Sequence, residues 1–218
     1  MANLKIAVLG SGQVGEALAN GFLKHGHAVM RASREPAKLE GWKSSAKGDA
    51  SIGTFAEGAA WGEVVILAVK GTAAIHVIDL AGVANLAGKT VLDTTNPIAD
   101  GKPPVNGVIQ FFTGPNESLM EALQAKAPDA HFVKCFSCVG NSLMIDPAFT
   151  SPPTMFICGN DDGAKQQTTE ILTQVGWETA DMGAVEAARA IEPLCMLWCI
   201  PGMRGGSWTH AFKLLQLK

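Results

Sequence analysis

Three glycines near the start of the chain have the spacing of a phosphate-binding turn. Gly10, Gly12 and Gly15 form the pattern G-x-G-x-x-G. In such a turn the first glycine permits a tight bend, the second lets the backbone approach a pyrophosphate, and the third lets helix and strand pack closely. The free N–H groups of the following helix bind phosphate oxygens. The residues expected to bind a dinucleotide are Gly10, Ser11, Gly12, Gln13, Val14 and Gly15.

The segments on either side of this turn match what a dinucleotide fingerprint requires. Leu4–Leu9 is a short apolar run, typical of a strand buried on both faces. Apolar residues then recur at helical spacing from Gln13 to His25, and Gly26 ends this predicted helix. This context strengthens the dinucleotide interpretation; the alternative is a turn that only connects strand to helix.

The residues after the second predicted strand indicate which dinucleotide binds. An acidic residue there hydrogen-bonds the ribose 2′-OH of NAD(H). This chain has Ser33 and Arg34 instead, and a guanidinium binds a 2′-phosphate in bidentate fashion. Lys38 lies one helical turn further along if Pro36 begins a helix. The pattern favours NADP(H), while Glu35 leaves a preference for NAD(H) open.

Two further strand ends are expected to line the same site. Ligands of open α/β sheets bind at the carboxyl edge of the strands. Asn96 and Pro97 follow one strand, and the Asn96 amide has the chemistry to orient a nicotinamide ribose or a substrate carbonyl. An Asn-Pro turn is the structural alternative. Ala68, Val69 and Lys70 end the neighbouring strand and are expected to contact the cofactor.

Few side chains offer an acid for catalysis. The chain contains no tyrosine, which excludes the tyrosine–lysine acid of short-chain dehydrogenases, and it lacks the G-x-S-x-G elbow of many hydrolases. The weak catalytic candidates are Lys70, His76 and Cys138. A surface lysine is the simpler interpretation of Lys70.

The five cysteines are predicted to be free thiols. An odd number argues against the disulfide framework of a secreted protein. Cys135 and Cys138 form a C-x-x-C, and Cys195 and Cys199 lie one helical turn apart. The second pair lies in an apolar run, where cysteine behaves as a small hydrophobe. We predict no metal site; a zinc or dithiol site is the alternative.

Strands and helices alternate along the chain, which predicts an α/β fold with a doubly wound parallel sheet of the Rossmann type. A long loop over residues 98–117 interrupts this alternation. We predict a Rossmann domain over residues 1–140 and a small C-terminal α/β extension over residues 141–218. The other predicted elements are strands 28–32, 63–69, 89–93, 131–136, 154–158 and 177–181, and helices 118–126, 162–175 and 183–199, the last interrupted by Pro193.

Composition and charge restrict the partners. Hydrophobic residues make up 47% and charged residues 17%, which indicates a globular protein. A net charge of −3 leaves no broad basic surface for nucleic acid. No apolar run approaches the roughly 20 residues that a bilayer requires, and no signal peptide is visible. We therefore expect a cytoplasmic protein that contacts neither nucleic acid nor membrane.

Several motifs, in order along most of the chain, resemble those of NADPH-dependent reductases of the deazaflavin coenzyme F420. They are the glycine turn and the segments 32–34, 93–97, 133–136, 146–147 and 187–194. The chain also resembles the cytosolic domain of six-transmembrane metalloreductases. It departs from the usual F420-reductase sequence at Cys135, Ser137 and Cys138, which changes the expected wall of the substrate pocket.

The resemblance implies NADP(H) bound across the glycine turn and a second planar partner, F420 or a flavin, stacked on the nicotinamide. The cofactor contacts that the family implies for this chain are Ser11, Gly12, Gln13, Val14, Ser33, Arg34, Lys38, Ala68, Val69, Asn96 and Pro97. We expect Cys135 to contact the cofactor as well. Transfer of hydride between stacked rings needs positioning and a dry pocket more than an acid. We predict an NADP(H)-dependent oxidoreductase; the alternatives are a non-catalytic NADP(H) sensor and a reductase of small imines or carbonyls.

The segment from 184 to 200 predicts self-association. A helix that is apolar on all sides must be covered on all sides, and a small extension leaves much of it exposed. We therefore expect a homodimer, with Trp208 and Phe212 packing against the partner chain. The apolar residues that surround the helix are Val185, Ala188, Ile191, Leu194, Cys195, Met196, Leu197, Trp198 and Ile200.

Overall fold

Strands with apolar residues on both faces form the centre of the molecule, which is described over residues 3–217 by a computed structural model. Ile6 to Leu9 and Val64 to Leu67 are fully buried, because helices cover both faces of the sheet. The strands are β1 (Lys5–Leu9), β2 (Ala28–Ala32), β3 (Ala50–Gly53), β4 (Val64–Leu67), β5 (Thr90–Asp93), β6 (His131–Lys134), β7 (Thr154–Ile157) and β8 (Glu178–Asp181).

The main sheet has six parallel strands in the order β3-β2-β1-β4-β5-β6. The chain progresses outward from β1 to β3, then crosses back to place β4 on the other side of β1. The boundary between β1 and β4 is therefore the topological switch point, where open α/β sheets bind ligands. This arrangement confirms the predicted doubly wound Rossmann fold.

The helices cover the sheet on both faces. Thr54 caps one of them with a complete capping box, in which Glu57 is the reciprocal partner. Ser118 caps another helix without a complete capping box: its hydroxyl accepts from the Glu121 N–H, whereas the Glu121 carboxylate contacts the Ser118 hydroxyl and Arg189. The helices are α1 (Gln13–Lys24), α2 (Glu40–Ser45), α3 (Phe55–Trp61), α4 (Gly71–Ala81), α5 (Val83–Leu86), α6 (Leu119–Lys126), α7 (Asp162–Gln174), α8 (Ala188–Ile191) and α9 (Pro193–Met203).

The C-terminal segment packs on the same core as the main sheet. Its strands β7 and β8 form a parallel pair, and the Lys134 N–H at the end of β6 donates to Cys158 O at 3.0 Å. One buried cluster combines Val133 of β6 with Met155 of β7 and Ile171 of α7. Residues on both sides of position 140 thus share one hydrophobic core.

The predicted helix over 183–199 is divided in the structure, and its interruption at Pro193 is confirmed. A 3₁₀ turn at Val185–Ala187 leads into α8, and Pro193 begins α9, which continues past Cys199 to Met203. Proline is favoured at a first helical position because it has no N–H to donate. Trp208 packs on Trp198 of the same chain, with 5.3 Å between ring centroids. Phe212 O likewise accepts from Thr154 N–H of the same chain.

A buried cluster of three charges joins the two segments. Lys134 Nζ lies 2.6 Å from Asp93 Oδ2 and 2.9 Å from Glu192 Oε1, and all three side chains are almost completely buried. Burial alone would lower the pKa of Lys134, but the two carboxylates raise it above its ordinary value, so the ammonium stays charged. The Glu192 carboxylate also accepts from the N–H groups of Leu119 and Met120 at the start of α6.

Removal of the Glu192 carboxylate should destabilise the protein strongly. Glu192→Ala leaves Lys134 with one carboxylate partner and two helix N–H groups without an acceptor. Breaking such a buried pair costs about 3 to 5 kcal/mol in the free energy of unfolding. Denaturant titration measures this loss, and the exposed Glu186→Ala should change the same quantity by less than about 0.5 kcal/mol. Equal stability of the two variants would contradict the prediction.

Candidate dinucleotide site

The first and third glycines of the turn are required by close backbone packing. A Cβ on Gly10 would lie 2.1 Å from the Ala68 carbonyl oxygen at the end of β4, and Gly10 N–H donates to Ala32 O at 2.9 Å. A Cβ on Gly15 would lie 2.6 Å from Gly10 O. Only glycine permits these approaches, so the turn holds β1, β2, β4 and α1 together.

Gly12 differs from its neighbours because the space beside it is open. A Cβ built on Gly12 would meet no atom within 4 Å, although the residue caps the N-terminus of α1. The open space and the helix N–H groups are what a phosphate group requires. A larger side chain would therefore fit the fold and fill the phosphate position.

Three strand ends meet in a groove of about 370 Å³. It brings together seven of the predicted cofactor residues: Ser11, Gly12, Ser33, Arg34, Ala68, Val69 and Lys70. Gln13 and Val14 lie beside it in the first turn of α1. His76, one of the catalytic candidates, also lines the groove. Three further lining residues carry no sequence signal for binding, since apolar residues are common in any chain: Phe55, Ala73 and Val77.

The side chains after β2 leave a guanidinium facing the groove. Arg34 lines the groove and forms no ion pair within residues 3–217. Glu35 points to another partner, because its carboxylate lies 2.8 Å from Lys38 Nζ, and this ion pair lowers the pKa of Glu35. Pro36 does begin a helical turn, as predicted, but Lys38 does not line the groove. Arg34 is thus a cation of the groove wall whose charge has no ion-pair partner in this part of the chain.

Asn96 and Pro97 lie at the end of β5, next to the groove. Gly71, the residue after Lys70, lies so close to Asn96 that a Cβ on it would be 2.0 Å from the Asn96 carbonyl oxygen. The Asn96 amide nitrogen donates to Ser137 O at 2.7 Å. Its amide oxygen is buried and has no hydrogen-bond partner among the residues that the structure describes.

The three candidate acids lie in different environments. Lys70 is exposed and forms an ion pair with Asp100 at 3.2 Å, and Asp100 also accepts from the Thr72 hydroxyl. These contacts lower the pKa of Asp100. His76 is exposed at the wall of the groove. Cys138 is buried, and its burial raises the pKa of the thiol to about 12. Of these three side chains, only Lys70 forms an ion pair or a side-chain hydrogen bond within residues 3–217.

Cys135 occupies the core instead of the groove. Its side chain is fully buried, and burial raises its pKa well above the ordinary value. Cys158 and Cys195 are also buried. Within residues 3–217 no group of three or more His, Cys, Asp or Glu side chains has a geometry that would hold a metal ion.

An oxidoreductase of the Rossmann type is the class that this turn and groove define. The profile of the family described as "NADP oxidoreductase coenzyme F420-dependent" matches residues 5–97. A candidate F420-dependent NADP reductase from Arthrobacter sp. FB24 is 31% identical in sequence and superposes with a TM-score of 0.89, over 98% of this chain and 100% of that one. The chain belongs to the family of F420-dependent NADP oxidoreductases.

More distant similarities agree with this assignment. Metalloreductase STEAP3 of Rattus norvegicus is 28% identical over 202 residues, which are 90% of this chain and 38% of the relative. The chain thus spans well under half the length of the curated relatives it matches. An imine reductase from Aspergillus terreus, 18% identical with a TM-score of 0.65 over 90% of this chain and 61% of that one, shares the fold. No helix within residues 3–217 has the length and apolar character needed to cross a bilayer.

Gly12→Val should abolish dinucleotide binding in a folded protein. The valine branches would occupy the open space beside the turn, where a phosphate is expected, without meeting protein atoms. Calorimetric titration with NADPH should show no heat of binding, while circular dichroism stays unchanged. Gly41→Val is the matched control, since a Cβ at Gly41 in α2 also meets nothing within 4 Å. Retained NADPH binding by folded Gly12→Val would contradict the expected role of the turn.

Arg34→Ala should remove most of the preference for NADPH over NADH. Pairing of a guanidinium with a phosphate dianion is expected to favour NADPH at least about ten-fold, or about 1.4 kcal/mol. Dissociation constants for both dinucleotides measure the effect, and NADH affinity should stay nearly constant. Lys38→Ala is the comparison variant and should alter the ratio little, because Glu35 already pairs with that ammonium. Equal affinities for NADPH and NADH in the unmodified protein would overturn the assignment.

Proposed function

We propose that this protein transfers hydride between NADP(H) and a planar conjugated acceptor such as a deazaflavin or a flavin. The observation that carries the proposal is the groove itself, which is lined by the open glycine turn and by Arg34, a guanidinium with no ion-pair partner within residues 3–217. Family membership supports the nicotinamide half of the reaction. The acceptor half is inferred from the chemistry of the surrounding residues.

The residues present fit NADP(H). The glycine turn offers an open space and helix N–H groups to the pyrophosphate, and Ser33 and Arg34 offer a hydroxyl and a guanidinium to the 2′-phosphate. When bound, the cofactor supplies the hydride. The protein binds and orients it through the ends of β1, β2, β4 and β5.

The acceptor side is built by the loop 98–117. Phe112 N–H donates to Pro97 O at 2.8 Å, and Ile98 pairs with Phe111 as an isolated bridge, so the loop folds back over the end of β5. Ile98 and Phe112 remain exposed. Exposed apolar side chains beside the expected nicotinamide position suit a flat conjugated ring and exclude water.

Reduction of a small imine or carbonyl is the second candidate and requires a proton donor. Buried Cys138 has a raised pKa, and Lys70 forms an ion pair with Asp100 at the surface. Hydride transfer between two stacked rings needs only a near-attack geometry and a dry pocket. The absence of tyrosine from the chain also favours hydride transfer between stacked rings over reduction of a small imine or carbonyl.

An acceptor panel tests the proposal. NADPH oxidation should be fastest with F420 or FMN and slow with a small imine, and a ferric chelate should be included because curated relatives are metalloreductases. Phe112→Ala should slow turnover with the preferred acceptor while leaving the dissociation constant of NADPH unchanged. Val105→Ala, in the same loop but away from Pro97, serves as the control. NADPH binding without oxidation by any acceptor would instead favour the sensor function.

We also propose that the protein is a cytoplasmic homodimer. Leu197 and Met203 of α9 are exposed, and so are Leu215 and Leu217 of the tail. The packing of Trp208 on Trp198 of the same chain does not cover them. These side chains form apolar surface of the kind that a second copy covers in a two-fold interface. Light scattering should give twice the chain mass of 22.8 kDa, and a monomer mass at micromolar concentration would overturn this proposal.

A further inference from the structure

A buried arginine lies directly behind the glycine turn. Arg31 is in β2 and only 1% of its side chain is exposed, so it differs from the exposed Arg34 that lines the groove. An arginine is seldom buried unless its charge is paired. Its contacts therefore indicate why this position carries a charge.

The guanidinium of Arg31 binds the turn itself. One terminal nitrogen donates to the carbonyl oxygen of Gly12 at 3.3 Å, and the other lies 3.3 Å from the Glu16 carboxylate in the first turn of α1. The same Gly12 carbonyl accepts the Glu16 N–H at 3.0 Å. Arg31 thus ties the middle glycine of the motif to the helix that follows it.

Trp42 fixes the orientation of this guanidinium. Its ring lies 5.0 Å from the Arg31 guanidinium carbon, and the indole N–H donates to the Asn20 side-chain oxygen at 2.7 Å. The arginine is therefore confined between the ring of α2 and the start of α1. A lysine lacks the planar fork and cannot make the same stacked, two-partner arrangement.

We propose that Arg31 is a positioning residue for dinucleotide binding, which sets the direction of the phosphate-binding N–H groups through the Gly12 carbonyl. A trans peptide unit is planar, and its C=O and N–H point in opposite directions. When Arg31 holds the Gly12 carbonyl, the N–H of Gln13 is directed away from Arg31. Arg31 acts on the pyrophosphate end of the site without touching the cofactor.

This inference rests on the proposed NADP(H) binding and makes a separable claim. Arg34 is expected to recognise the 2′-phosphate, which only NADP(H) carries, whereas the turn binds the pyrophosphate that NADPH and NADH share. Changes at Arg31 should therefore weaken both dinucleotides by the same factor. Changes at Arg34 should alter their ratio.

The test measures dissociation constants of NADPH and NADH for the full chain carrying Arg31→Met, Arg31→Lys or Glu16→Gln. We expect Arg31→Met to lose at least about ten-fold in affinity for each dinucleotide, with Arg31→Lys between it and the unmodified protein. Glu16→Gln retains a hydrogen-bond acceptor and should lose less. Leu172→Ala is the control: it lowers the thermal midpoint through a cavity in the core beneath α7, without removing a contact of Arg31, and should keep both affinities.

Each outcome decides the inference. Unchanged affinities in folded Arg31→Lys and Arg31→Met would overturn it, as would a loss confined to NADPH. A loss of affinity in Leu172→Ala equal to that in Arg31→Lys would assign the effect to general destabilisation and overturn it as well. If Arg31→Met does not fold, Arg31→Lys and Glu16→Gln still give the comparison. Failure of the unmodified protein to bind either dinucleotide would instead refute the proposed function.

Discussion

The structure depends on a charge that cannot reach water. Lys134 is fully buried, and its ammonium is stabilised only because Asp93, Glu192 and the Thr95 carbonyl surround it. An unpaired charge in this position would be strongly destabilising, so these groups must come together whenever the chain folds. The contact with Thr95 also fixes the segment that carries Asn96 and Pro97. One buried interaction thereby sets the sheet edge that lies next to the groove.

The two ends of the site differ in how they are specified. The phosphate end is built from a continuous stretch of sequence, where three glycines and a helix start determine the geometry by local sterics. The acceptor end combines β5, the loop 98–117 and Ser137, which are far apart along the chain and meet only after folding. This difference explains why the cofactor follows from family and motif, whereas the proposed acceptor follows from contacts that form only in the folded chain.

Sequence patterns predicted most of the fold because buried parallel strands and glycine turns have local signatures. The sequence predicts β2 to the residue and six of the other strands to within two residues at their ends. β3 was missed, since Ala50–Gly53 is short and only partly buried. The pairing of Lys134 with Asp93 and Glu192 was missed because a lone charge at a strand end is ordinarily solvated. The contacts of Arg31 are not predicted either, because a single charged residue in a strand is ordinarily solvated. Cys135 is predicted to contact the cofactor, but its side chain packs in the core.

The hydrogen bonds between Glu192 and the start of α6 indicate which segments of the chain must be kept together in evolution. A gene fragment that ended near position 140 would encode Asp93 and Lys134 without the carboxylate that completes their cluster, and it would leave the first N–H groups of α6 without their acceptor. Recombination that copied the sheet alone would therefore produce a poorly folding product. The similarity to the metalloreductase spans 202 residues and includes both segments, as expected if the shared evolutionary unit is the sheet together with its C-terminal segment.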